Sequence, residues 1–224
     1  MNAEAFRQEL IAKKALYQKQ LMEISLLITD IRAKGARHVE KLIAHELHHL
    51  NLKDAQFLVE VTEKERLSLD GNDQIIFYIS TNKGHAPKPL SDVASGGEVS
   101  RVMLAIKSVL AEVDLIDTMI FDEIDSGISG KTAQLVAEKL YSVGTKRQII
   151  AITHLPQIAS MADEHYKIVK LTSKEQQMIS VNHLSEKNKV EEVARLLSGK
   201  EITETVRLNA KELLKFAYNY KNNG

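Results

Sequence analysis

No cysteine occurs anywhere in the 224 residues. That excludes disulfides and cysteine-ligated metals, and it permits a reducing cytoplasm. Net charge is absent too, with 30 basic residues against 30 acidic ones. The chain therefore offers no global electrostatic argument for binding nucleic acid or a membrane surface. No apolar run approaches the roughly 20 residues that would span a bilayer. The first residues, MNAEAFRQEL, carry acidic side chains and lack the apolar stretch of a secretory signal. Proline is scarce, at three residues, and two of the three fall within the loop 80–92. What remains is a globular composition, 44% hydrophobic, long enough for one domain or two small ones and expected in the cytoplasm.

Residues 3–50 contain no proline and one glycine, Gly35. Leu10, Tyr17, Ile24 and Ile31 recur every seven residues, with Leu21 and Ile28 at the alternate seam and Lys14 interrupting it. This spacing suggests a two-helix coiled coil more than an ordinary amphipathic helix. It lasts about three heptads, so it calls for a partner segment outside this sequence. A second helical stretch is expected from Gly35 to about Leu50. The period then changes. FLVEV (57–61) and IIFYIS (75–80) are β-rich runs around a turn at Asp70–Asp73. TMIF (118–121) and QIIAIT (148–153) read as short buried strands, and helical patterns follow Gly97 and Gly130. YKIVKL and QMISVNHL form a last antiparallel pair, and 188–220 is helical. Apolar strands alternating with helices imply an α/β domain with a mostly parallel sheet flanked by helices. The division expected is a helical arm over 1–50 and an α/β lobe over 51–224.

Three short motifs carry chemistry. TMIFDEID ends an apolar strand in two adjacent carboxylates, Asp122 and Glu123. Ligands gather at the C-terminal edges of parallel strands, so Asp122 is placed to hold magnesium and Glu123 to orient or deprotonate a water. The plainer alternative is acidic residues capping a helix. SGGE (95–98) opens a helix with a serine and two glycines, which suits an anion at free N–H groups or simply a flexible helix start. In ITHLPQIA (152–159), His154 follows a strand end and Pro156 suits the first helical turn. A histidine there can bond a phosphate, or it can be structural.

HELHH (45–49) holds a literal H-E-x-x-H, in which His45 and His49 would share a helical face and could hold zinc with Glu46 as base, the pattern of a metalloprotease. Zinc would need a third ligand, for which only Glu60, Glu63 or Glu65 stand nearby in sequence, so a polar helix face is the simpler reading. Likewise DEIDSGISGKT (122–132) ends like a P-loop, but Asp125 occupies the position of its first glycine.

The order matters more than any single motif. A helix-opening SGGE is followed after about 24 residues by a strand ending in DE, and after about 30 more by a strand-end histidine. This series resembles the signature motif, Walker B, D-loop and H-loop of ABC-type ATPases. Together, STNKG…PLSDVASGGEVSRVMLAIK, FDEIDSGISG, THLPQIA and VARLLSGKEITETVRLNAKELL resemble RecN, a family of SMC-like ATPases of DNA double-strand-break repair, over essentially the whole chain.

The resemblance implies the C-terminal lobe of an ABC/SMC-type head preceded by an antiparallel coiled-coil arm, with residues 3 to about 34 as its returning strand. It implies that Ser95, Gly96, Gly97 and Glu98 contact the γ-phosphate of ATP held by the opposite subunit. Asp122 would be the magnesium-associated carboxylate, Glu123 the catalytic base and His154 the switch histidine. Asp125, Ser126, Gly127 and Ser129 would form the D-loop at the head–head interface, while the role of Arg101 stays open. ATP, Mg2+, DNA, a head-mediated homodimer and a nucleoid association are implied in the same way. So is an N-terminal half carrying the P-loop, Q-loop and outgoing coil, none of which is in this sequence. The chain alone is therefore expected to bind ATP poorly and not to hydrolyse it; the alternative reading is a non-catalytic, truncated interaction module that pairs with intact subunits through its coil and signature face.

Overall fold

The computed structural model describes residues 3–93, 96–111, 113, 116–172, 177–199 and 201–223. The chain forms two compact units, Met1–His48 with Leu52–Val93, and His49–Asn51 with Ala94–Gly224.

In the first unit, helix α1 runs without interruption over Ala3–His49. At 1.5 Å per residue it is about 70 Å long. Gly35 does not divide it into two helices as the sequence suggested. An exposed helical glycine costs only about 1 kcal/mol against alanine, too little to break a 47-residue helix. The heptad residues lie open, with Leu10, Tyr17, Leu21, Ile24 and Ile31 each at least half exposed. Of its residues only Ser25, Ile43 and Leu47 are buried.

Strands β1 (Gln56–Ser68) and β2 (Gly71–Ser80) form an antiparallel hairpin longer than the apolar runs that announced it. The short β3 (Lys88–Pro89) pairs with β2. Gly71, at φ +101°, supplies the backbone conformation that the tight turn requires. Asp73, buried on β2, ties the hairpin to α1. It accepts bonds from Thr29 Oγ1 at 2.6 Å and from Arg32 Nη1 at 2.8 Å. Those two donors hold its carboxyl below the usual carboxylate range. Arg32 also reaches the Asp70 carbonyl at 2.7 Å, and Glu40 accepts the Val59 N–H at 2.7 Å.

The second unit is α/β. Its elements are α2 (Gly97–Leu110), β4 (Thr118–Phe121), α3 (Gly130–Gly144), β5 (Gln148–Ala151) and α4 (Pro156–Met161). Then follow β6 (Tyr166–Thr172), β7 (Gln177–His183), α5 (Glu186–Ser198) and α6 (Glu204–Asn223). Strands β4 and β5 pair in parallel, and β6 and β7 pair antiparallel. Among the described residues the parallel sheet is this one pair.

The core follows helical spacing. Ala133, Val136, Ala137, Leu140 and Val143 form one buried stripe on α3, and Val102, Ala105 and Ile106 are buried on α2. Met119 and Phe121 face inward from β4, while Ile120 is 67% exposed. Ile150 and Ile152 are also exposed. The two strands are thus packed on one face only, not buried throughout as their apolar runs suggested. A run of β-branched residues marks a strand with two apolar faces, whether or not both are covered in the chain at hand. Val193 and Ala194 of α5 pack with Ala210 of α6, joined by Val190, Ile202, Val206, Leu213 and Leu214.

A candidate nucleotide-handling edge

The parallel pairing of β4 with β5 puts Phe121 opposite Ala151, and the Ile152 N–H donates to the Phe121 carbonyl at 2.9 Å. The two strands therefore end side by side, and Asp122–Glu123 and Thr153–His154 leave from the same edge. Asp122 and Glu123 are both exposed. Asp122 Oδ1 accepts the Glu123 N–H at 2.9 Å. Glu123 itself has φ +57°, a left-handed conformation uncommon for a side chain of its kind. It begins a turn closed by the Ser126 N–H on the Glu123 carbonyl at 3.0 Å.

Helix α2 is fastened to this turn by one face. Gly97 is buried, and a Cβ there would stand 2.6 Å from the Ser126 carbonyl oxygen and 2.9 Å from that of Glu123. No side chain larger than hydrogen fits. Ser100 Oγ donates to the Asp122 carbonyl at 2.9 Å. Arg101, 4% exposed, donates from Nη1 to the carbonyls of Ser126 at 3.0 Å and Ile124 at 3.3 Å. Burial pushes the Arg101 guanidinium below its ordinary value while Glu98 opposes the shift. Its ordinary value lies so high that the group stays charged. Three residues at i, i+3 and i+4, one by its bare backbone and two by their side chains, thus join the start of α2 to the Asp122–Ser126 turn. Of the three, only Gly97 had a role assigned from the sequence; that of Arg101 stayed open, and Ser100 was not singled out. Gly-x-x-Ser-Arg at helical spacing, with a charge inside an otherwise apolar stripe, was the signal available for the roles of Ser100 and Arg101.

The remaining predicted residues divide between the surface and the interior. Gly96 caps α2 at its N-terminus, and no side-chain bond satisfies that helix end. Space is open where a Gly96 Cβ would be. Glu98 is exposed in the first turn of α2. Ser95 lies outside the described residues. Ser126, Gly127 and Ser129 are exposed, whereas Asp125 is buried. The Asp125 carboxylate accepts from Thr153 Oγ1 at 2.5 Å and from the His154 N–H at 2.8 Å. The His154 ring is 73% exposed. A P-loop would need a glycine where Asp125 stands, and α3 begins at Gly130, with Lys131 and Thr132 in its first turn. Thr132 Oγ1 accepts from Asn51 Nδ2 at 2.9 Å. The H-E-x-x-H residues lie on or at the end of α1, and among the described residues no group of three His, Asp or Glu comes together to hold a metal. Nor is any described helix long and apolar enough to cross a membrane.

This arrangement can be set beside known proteins. No family model matches the chain. The DNA repair protein RecN of Rickettsia conorii is 41% identical over 213 residues, which cover 95% of this chain and 39% of that protein. RecN of Bacillus subtilis is 40% identical over 212 residues, covering 88% and 37%. RecN of Halalkalibacterium halodurans is 40% identical over 203 residues, covering 89% and 36%. The chain thus spans less than two fifths, or about that share, of the length of these curated relatives.

Among solved structures, the Smc head domain with a coiled coil and joint from Pyrococcus yayanosii matches 87% of this chain and 36% of its own, with a TM-score of 0.60 and 17% identity. An Smc head with an extended coiled coil, bound to the C-terminal domain of ScpA and derived from Pyrococcus furiosus, matches 86% and 46%, with a TM-score of 0.55 and 17% identity. These two likenesses establish the α/β fold of an SMC-type head lobe. Along nearly its whole length the chain is similar in sequence to RecN, and in fold it is similar to the head lobe of SMC proteins.

Proposed function

We propose that this chain supplies the hydrolytic and sensing half of a RecN-like DNA-repair ATPase, acting with a P-loop that another polypeptide segment provides. One observation supports it most. Asp122, Glu123 and His154 share one sheet edge, and the glycine-opened N-terminus of α2 is fastened to the same turn through Gly97, Ser100 and Arg101.

The residues present fit a nucleotide and its metal. The first turn of α2 has unsatisfied N–H groups, no side-chain cap and open space at Gly96, which suits a phosphate oxygen. Asp122 is exposed at a strand end and would hold magnesium. When bound, that ion neutralises phosphate charge. Glu123 takes the proton of an attacking water, and His154 reads the reaction centre from the neighbouring strand. Ser126, Gly127 and Ser129 present the D-loop to an opposing head. Ser95, Gly96, Gly97 and Glu98 address the nucleotide held by that head, so the assembly is a homodimer closed around ATP. DNA is the partner on which such closure would act, in the cytoplasm and on the nucleoid. The arm over 1–50 and the lobe over 51–224 are the working parts of that scheme.

The test is reconstitution. The chain is mixed with a polypeptide carrying a RecN-type P-loop segment, and ATP turnover is followed. Turnover should require both parts, and Glu123→Gln should lower kcat by about 100-fold or more, the usual contribution of a general base. The same variant should keep ATP-dependent dimerisation in light scattering. Turnover by the chain alone that Glu123→Gln abolishes would overturn the division of labour. Loss of dimerisation in Glu123→Gln would overturn its role as base.

A further inference from the structure

Asp125 sits in the segment read above as a contact surface for a second head, yet its carboxylate faces the interior of its own unit, 5% exposed. Three donor-capable atoms converge on one oxygen, Oδ2. Thr153 Oγ1 lies at 2.5 Å, the His154 main-chain nitrogen at 2.8 Å and the His154 ring Nδ1 at 3.0 Å. The main-chain N–H can only donate. Thr153 Oγ1 already accepts the Leu155 N–H at 3.0 Å, so its own proton points to Asp125. Oδ2 is therefore an acceptor to two of its neighbours. A carboxylate has no proton to return to the third. A bare Nδ1 lone pair at 3.0 Å would face the lone pairs of a carboxylate that is itself buried, a repulsive arrangement with no proton between the two atoms.

We infer that Asp125 is a positioning residue for His154, fixing its neutral imidazole as the Nδ1–H tautomer and leaving Nε2 as a bare acceptor on the open side. The ring nitrogens are distinct in role, and the partner of one sets what the other can do. With Nδ1 engaged inside, the exposed Nε2 of a neutral ring has a lone pair and no proton. It cannot donate to a bare phosphate oxygen, which is itself an acceptor. It can accept from a proton-bearing group, and on the ATPase reading proposed above, on which this consequence rests, that group is the attacking water. The same carboxylate holds the main chain at residue 154, so ring orientation and backbone position are set by one contact. Asp125 thereby links the turn that carries Asp122 and Glu123 to the strand end that carries His154. Through Ser126 and Arg101 the linkage continues to α2.

The tautomer is directly observable. A long-range proton–nitrogen correlation spectrum of the 15N-labelled 224-residue chain would be recorded near pH 8.5, about two units above the ordinary histidine value. The His154 signals are identified by their loss in His154→Gln. The unmodified chain should show a protonated Nδ1 and a pyridine-type Nε2. Asp125→Ala should move the ring to the Nε2–H form, while Thr153→Val, which leaves the carboxylate in place, should not. An Nε2–H ring in the unmodified chain would overturn the inference. So would an Nδ1–H ring that survives Asp125→Ala in a folded protein. Should Asp125→Ala fail to fold, the unmodified chain and Thr153→Val still decide. In the reconstituted ATPase, Asp125→Ala combined with His154→Gln should be no slower than His154→Gln alone, as expected when one residue acts through the other. Multiplying losses would refute that route. Absence of turnover in every sample would count against the ATPase reading and leave the tautomer result standing.

Discussion

Exchanging Gly97 for alanine should destabilise the unit that carries the sheet edge, and the same exchange at Gly35 should stabilise the other. At Gly97 the new methyl would lie 2.6 Å from the Ser126 carbonyl oxygen, 2.8 Å from Ser126 Cβ and 2.9 Å from the Glu123 carbonyl oxygen. Carbon atoms pack best at about 3.5–4.0 Å, so the turn would have to retreat by roughly 0.7 Å or more. It cannot retreat freely. The Ser126 carbonyl is held by Arg101, and the Glu123 carbonyl closes the turn on Ser126 N. Overpacking of this kind costs about 1–3 kcal/mol. Alanine's better helix propensity returns up to about 1 kcal/mol. A net loss of about 1 kcal/mol, the mid-range cost less the full return, follows from these two figures. At Gly35, nothing lies within 4 Å of the added atom and the position is exposed, so only the propensity gain of about 0.5–1 kcal/mol remains.

Urea unfolding reads both. With a slope of about 1–3 kcal/mol/M, that loss should lower the Gly97→Ala midpoint by roughly 0.3–1 M. Because the chain has two compact units, amide hydrogen exchange on α2 and α3, and separately on α1, assigns each shift to its unit. A Gly97→Ala protein as stable as the unmodified chain would refute the close approach of α2 to the turn. A destabilising Gly35→Ala would refute the open, helical setting of that glycine.

Arg101→Met should keep the apolar stem and strand the Ile124 and Ser126 carbonyls, lowering stability by about 1–2 kcal/mol. A urea midpoint unchanged or raised would show that burying the charge costs more than its two bonds return. Burial pushes His165 below its ordinary value of about 6.5, with Lys189 and Lys167 reinforcing the shift and Glu192 opposing it. Its Nδ1 is enclosed without a hydrogen-bond partner. The unfolded chain then binds this proton more readily than the folded one, so stability should hold above about pH 6.5 and fall as pH drops below it. His165→Asn should flatten that part of the urea midpoint–pH curve, and equal slopes in the two proteins would refute the assignment.

Much of this architecture was legible in the sequence because its periods are strong. The heptad spacing of Leu10, Tyr17, Ile24 and Ile31 marked α1, and the β-rich run IIFYIS marked β2. The DE pair after TMIF located a strand end, and the parallel register then brought His154 beside it. What the sequence hid was contact that no period encodes. Gly35 looked like a boundary because one glycine is locally unfavourable, yet its neighbours outweigh it. TMIF and QIIAIT looked buried because apolarity records the faces a strand can cover, while one face stays open here. The inward carboxylate of Asp125 and the bonds of Arg101 to two main-chain carbonyls depend on a turn of left-handed Glu123. No spacing rule reaches a conformation of that kind.

The pairing of β4 with β5 also sets an order of events when the chain folds. Thr118 meets Gln148 only after the thirty-residue segment that includes α3 has been looped back. Closing such a loop costs entropy before any contact rewards it. The hairpin β1–β2, by contrast, closes through a turn of two residues. The β1–β2 hairpin should therefore form early, from near neighbours, while the sheet edge that gathers Asp122, Glu123 and His154 assembles later. A destabilising substitution in the crossover would then slow the arrival of the whole constellation without altering any residue in it.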